Sequence, residues 1–202
     1  NESGVLRPVR GTYDSQSGSM EFAVMHFSMF GVGYHDVAFS DVEASAYYYD
    51  AVRFCAARDI TGGIGGNLFS PEGTLTRAQF IVMLMRAYGF EADTEIIDNF
   101  DDVGNTYYTG YLSAAKRMGI SNGVGNNRFA PEEEVTRQDM LTLLYRALQV
   151  MGELPEQGST SQLSDFSDAG MISDYAKEAV ASMVGAGAIT GDAGRLQPLM
   201  VS

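Results

Sequence analysis

Three short landmarks recur along this chain in one fixed order. An aromatic-acid step appears as Phe39-Ser40-Asp41, Phe100-Asp101-Asp102 and Phe166-Ser167-Asp168. A helix-ending step follows as Ile60-Thr61-Gly62-Gly63, Ile120-Ser121-Asn122-Gly123 and Ile189-Thr190-Gly191-Asp192. A loop step closes each series as Phe69-Ser70-Pro71, Phe129-Ala130-Pro131 and Leu196-Gln197-Pro198. A fourth landmark occurs twice, as Thr74-Leu75-Thr76-Arg77-Ala78-Gln79 and Glu134-Val135-Thr136-Arg137-Gln138-Asp139. Ile60 to Ile120, Phe69 to Phe129 and Arg77 to Arg137 are each 60 positions apart. One shared offset marks a duplicated supersecondary unit, and such units must pack on one another because none buries its apolar face alone. The third copy is looser, and the sequence stops at Ser202 about where its Thr-Arg step is due. That copy is expected to be cut short.

Each copy reads as helix, Gly-rich loop, helix. Apolar residues at helical spacing predict the first helix: Tyr48, Val52, Cys55 and Ala56, then Tyr108, Leu112, Ala115 and Met118, then Ala176, Val180, Met183 and Val184. Gly or Asn after each supplies left-handed backbone to end it. Thr76 with Gln79 is a capping box at the start of a second helix, and Thr136 with Asp139 is a shorter-armed version. Phe80, Met83, Leu84 and Tyr88, and then Met140, Leu143, Leu144 and Leu148, are the predicted buried faces. Residues 152–162 read as a linker. The first 35 residues differ: 5–13, 19–25 and 28–34 have strand-like composition around an Asp14-Ser15-Gln16-Ser17-Gly18 turn. They predict a hairpin or three-strand piece, marginal alone, that is the tail of a preceding β domain or packs on the helices.

Charge narrows the function. A net charge of −13 lacks the basic face that nucleic acid or an acidic lipid surface needs. No apolar run reaches eighteen residues, so no membrane insertion is expected. Cys55 is the only cysteine, which leaves no disulfide framework or cysteine-based metal site. His26 and His35 lie in the strand-like start, away from any nucleophile motif. No EF-hand register appears, and no cofactor or enzymatic activity is expected.

The landmarks resemble the S-layer homology family. Phe39-Ser40-Asp41-Val42 matches its opening, the Phe-x-Pro step its loop, and Thr76-Arg77-Ala78-Gln79 its Thr-Arg-Ala-Glu step with Gln in the last place. Thr136-Arg137-Gln138-Asp139 departs at two places, and Tyr47, Tyr107 and Tyr175 stand where the family usually has Trp. The resemblance covers about residues 36–202. It implies a mainly α, pseudo-threefold bundle of helix-loop-helix repeats: a β segment over 1–35, repeats over 36–92 and 97–152, and a truncated third over 163–202. It further implies a secreted, cell-surface anchoring module whose inter-repeat grooves bind an anionic, pyruvate-bearing cell-wall polysaccharide or a peptidoglycan-linked glycan. The alternative is an S-layer assembly or protein-interaction module without direct glycan binding. Self-association could complete the third repeat.

Within that resemblance the candidate glycan-binding residues are Asp41, Tyr47, Arg77, Asp102, Tyr107, Arg137, Asp168 and Tyr175. Arg77 and Arg137 follow capping threonines, where a guanidinium and a helix start together favour a carboxylate. Their structural alternative is pairing with Asp41, Asp102 or Asp168. Those aspartates are candidate acceptors for sugar hydroxyls, or caps of the helix that follows. The tyrosines could stack on sugar rings or lie partly in the core.

Overall fold

A computed structural model describes residues 9, 11–22, 29–31, 33, 35–155 and 160–201. The chain divides into two compact units, Asn1–Pro71 and Glu72–Ser202. The described residues hold a two-stranded hairpin and five α-helices, which is the expected mainly α fold with a short N-terminal hairpin.

In the first unit, β1 (Gly11–Asp14) pairs antiparallel with β2 (Ser19–Phe22), with Tyr13 opposite Met20 and Gly11 opposite Phe22. Asp14 accepts hydrogen bonds from the Gln16 amide and the Ser17 hydroxyl, which tightens the predicted turn. The expected third strand has no counterpart at described residues 29–31 and 33; the rest of it, and the strand residues at 5–8, 10 and 23–25, lie outside the described residues, as does His26. Helix α1 (Tyr49–Ala57) buries Val52 and Ala56 against Phe39 and Val42.

The second unit contains α2 (Arg77–Ala87), α3 (Thr109–Arg117), α4 (Arg137–Met151) and α5 (Lys177–Gly185). Most of the predicted first-helix positions are buried, with Leu112, Ala115 and Ala176 at 0% exposure and Val180 at 1%, while Met118 and Val184 are half-buried. The predicted face of α2 is partly rotated: Leu84 is buried as expected, Ala78, Ile81, Val82 and Met85 form the rest of the inner face, and Phe80 and Tyr88 flank the core. The expected linker is shorter than 152–162, because a 3-10 helix spans Thr160–Asp165 and buries Leu163; residues 156–159 lie outside the described residues.

One knot explains why the landmarks keep their order. In every copy the aspartate of the aromatic-acid step accepts two backbone N–H bonds from the loop step near 28 positions on: Asp41 from Phe69 and Ser70, Asp102 from Phe129 and Ala130, Asp168 from Leu196 and Gln197, all at 2.7–2.9 Å. The middle loop residue, Ser70, Ala130 or Gln197, sits at positive φ (63°, 58° and 52°). That geometry is unfavourable for a residue with a side chain, and the two charge-assisted bonds offset it. The aspartates therefore do not cap the following helices; Asp168, for example, makes no side-chain cap bond. The phenylalanine of the same step lies against the glycine of the helix-ending step. At Gly123, with φ at 71°, a Cβ would strike the Arg128 carbonyl oxygen and come within 2.8 Å of the Phe100 ring. Only glycine fits there.

The copies are then stitched by their second helices. At the start of α2, the Arg77 amide donates to the Glu133 carbonyl (2.8 Å) and the Ala78 amide to the Pro131 carbonyl (3.0 Å). At the start of α4, the Arg137 amide donates to the Met200 carbonyl and the Gln138 amide to the Pro198 carbonyl. Each free helix start is thus satisfied by the loop of the following copy.

Candidate functional site

The second unit holds a cleft of about 410 Å³ lined by side chains from all three copies. Copy one gives Arg77, copy two gives Ser121, Asn122, Gly123, Val124, Asp139, Thr142, Leu143 and Arg146, and copy three gives Tyr175.

Arg77 is fixed by the docking of α2 on the second loop. Its Nε donates to the Phe129 carbonyl (3.0 Å), its Nη1 to Asp139 Oδ2 (2.7 Å), and its guanidinium lies 5.0 Å from the Phe129 ring centre. Only 6% of the residue is exposed. Its carboxylate partner is Asp139, not one of the three loop-holding aspartates.

Asp139 is free to pair because the second capping box does not close. The Asp139 amide donates to Thr136 Oγ1, but the reciprocal bond that Gln79 Oε1 accepts from the Thr76 amide has no counterpart at Asp139. The shorter side chain turns instead to Arg77 and to the Tyr175 hydroxyl, which donates to Asp139 Oδ1 at 2.7 Å. Tyr175 is brought there by the buried Gln138, whose amide group clasps Ser173 through a donated and an accepted bond of 3.1 and 3.0 Å. Partial burial, then the bond and the charge of Asp139, push the Tyr175 hydroxyl up to about 12, so it stays a donor.

Arg146 lines the same cleft further along the same face of α4, half-buried, and makes no hydrogen bond or ion pair among the described residues. Asn122 and Val124 present an exposed amide and an exposed apolar side chain at the rim. Sequence reasoning missed Asp139 as a groove residue, together with Asn122 and Arg146. The available signal for Arg146 was its 60-position offset from Arg86, a second arginine at one repeated place.

The remaining candidates lie apart from the cleft lining. Arg137 is half-buried; its Nε is buried without a hydrogen-bond partner, and it forms no ion pair among the described residues. Asp41, Asp102 and Asp168 spend their carboxylates on loop amides. For Asp41 the Phe69 amide is the main cause of a pKa below the ordinary range. For Asp102 and Asp168 burial pushes upward, and the paired amide bonds outweigh it. The tyrosines are more exposed than their helical spacing suggests: Tyr47 97%, Tyr107 61% and Tyr175 54%. Tyr47 and Tyr107 meet the next tyrosine edge-on, and Tyr108 carries the core role of copy two.

Comparison with known proteins agrees with this repeat structure. The chain is 30% identical over 91% of its length to an amylopullulanase of Thermoanaerobacterium thermosulfurigenes, of which it spans 10%. It is 29% identical over 60% of its length to a surface-layer 125 kDa protein of Lysinibacillus sphaericus, spanning 11% of that protein. It is 26% identical over 65% of its length to the S-layer protein sap of Bacillus anthracis, spanning 16%. The chain therefore corresponds to a small part of each relative, and the enzyme name of the first describes the whole of a much longer protein. The S-layer homology domain profile matches residues 38–81, 99–141 and 165–199, more than half of the chain. The chain belongs to the S-layer homology domain family.

Proposed function

We propose that this chain anchors a secreted surface protein to the cell wall without a covalent bond, and that the cleft of the second unit binds an anionic, pyruvate-bearing wall polysaccharide. Family membership and the surface-layer relatives support the anchoring part. No helix among the described residues is long and apolar enough to cross a membrane.

The observation that carries the glycan reading is the composition of the cleft. Two guanidinium groups face one carboxylate there, so the lining is net positive on a chain of net charge −13. At physiological salt the Debye length is about 8 Å, so the local cations outweigh the distant acidic surface for a group inside the cleft. The volume falls in the usual range for small-ligand sites. Tyr175 and Val124 offer apolar surface to a sugar ring, while Asn122 and the Tyr175 hydroxyl suit its hydroxyls.

Sedimentation with purified bacterial walls tests this. The protein is expected to pellet with intact walls and to stay in the supernatant when the secondary polysaccharide has been extracted. Equal pelleting with both would reject the polysaccharide and favour an assembly role.

A further inference from the structure

We infer that Arg146, the guanidinium of the cleft that has no carboxylate partner among the described residues, receives the ligand's carboxylate. The inference rests on the glycan reading of the cleft. Of the two guanidinium groups lining it, Arg77 already has its charge partner: Nε and Nη1 are bonded to the Phe129 carbonyl and to Asp139, and the side chain is 7% exposed. Asp139 is spent, one oxygen on Arg77 and the other on Tyr175. Arg77, Asp139 and Tyr175 thus form a charge-neutral chain of hydrogen bonds. Its members position the wall of the cleft. Among the described residues the uncompensated positive charge of the cleft belongs to Arg146.

The repeat supplies an internal control. Arg86 occupies the same place in copy one, and there the guanidinium is engaged: Nε donates to the Tyr111 hydroxyl at 3.2 Å and the group lies 5.4 Å from that ring centre. Aligning Tyr107 with Tyr175 puts Ala179 where Tyr111 stands. A methyl group cannot hold a guanidinium, so the arginine of copy two is left for another partner. A planar, permanently charged fork suits a carboxylate by two parallel bonds. The charge balance permits one such group per cleft.

The test is calorimetric titration of polysaccharide released from Gram-positive walls, before and after chemical reduction of its carboxylates to alcohols. Arg146→Gln is expected to weaken binding of the native polymer roughly ten- to a hundredfold, the range for a lost charge-assisted pair. Carboxylate reduction should weaken the wild type by a similar factor and scarcely move the variant. Arg146→Lys should recover part of the affinity, and serves alone if the glutamine variant does not fold. Arg86→Gln should bind within about twofold of wild type, since the residue it replaces is already engaged. Native-polymer binding by Arg146→Gln equal to wild type would overturn the assignment while leaving the anchoring reading intact. So would equal losses on native and reduced polymer, or a wild type sensitive to removal of phosphate and not to carboxylate reduction. A wild type that binds neither polymer nor walls overturns both.

Discussion

Helices α2 and α4 begin with the same Thr-Arg step, yet the two starts do different work. In α2, Gln79 reaches back to the Thr76 amide and closes the capping box, while Arg77 crosses to the next copy and is bonded at two nitrogens. In α4, Asp139 is one methylene shorter, leaves the box open and supplies the carboxylate that Arg77 needs; Arg137 has no such partner among the described residues. One repeated motif thus provides a closed cap in one copy and a groove wall in the next. A repeat fixes where a side chain starts, and the neighbouring copy decides what it meets.

The sharpest way to break that comparison is to remove each arginine. Arg77→Ala leaves Asp139 without its cation and the Phe129 carbonyl without a donor, and is expected to cost about 3 kcal/mol in urea unfolding. Arg137→Ala removes an already orphaned nitrogen and should cost less than about 1 kcal/mol. Equal losses would show that the carboxylate of Asp139 does not distinguish the two starts.

Asp102→Ala tests the knot of the loop on which the α2 start docks. Losing its bonds to the Phe129 and Ala130 amides should cost about 2 kcal/mol at pH 7. The sign with pH follows from the lowered pKa: the carboxylate contributes fully above its unfolded value near 4 and progressively less as pH falls through the folded one. The gap between wild type and variant should therefore close below about pH 4. A gap constant down to pH 2 would mean that the aspartate acts by packing and not by charge.

Gln79→Asp gives α2 the residue of α4. The shorter arm should release the Thr76 amide, at a cost of about 1 kcal/mol in thermal unfolding. If the variant is as stable as wild type, arm length is not what opens the box in copy two.

The repeat, its helices and its helix-ending glycine were legible because they are local or periodic: Gly123 follows the first helix of its copy where left-handed backbone is due, and Leu112 and Val180 sit inward by helical spacing. The aspartate knot was visible only as a recurring order, since Asp102 and the Phe129 amide are 27 positions apart and either capping or ligand binding suits a loop aspartate. The groove was harder still. Arg77 meets Asp139 from 62 positions away, and Tyr175 meets it from 36 on the other side. Nothing local marks Arg146, which reads as one polar residue on an amphipathic helix; among the described residues it has no partner, whereas Arg86 at the same place in copy one meets Tyr111.

The smallest expected effect isolates the last bond of the groove. Tyr175→Phe keeps the ring and loses only the hydroxyl that donates to Asp139, so near neutral pH the cost should be within about 1 kcal/mol. Its pH dependence has the opposite sign from that of Asp102. Because burial and Asp139 raise Tyr175 to about 12, the folded state favours the protonated hydroxyl; that contribution is complete below the unfolded value near 10 and is lost between 10 and 12. Tyr107 holds the same place in copy two and is also raised, by burial and then by Glu132, but Arg86 pulls it back and no Asp139 hydrogen bond supports it. Ultraviolet titration of the phenolates should therefore show one late-ionising tyrosine that disappears in Tyr175→Phe and persists in Tyr107→Phe. Were the late step to survive in Tyr175→Phe, the hydroxyl would not be held by Asp139, and copies two and three would present equivalent tyrosines to their grooves.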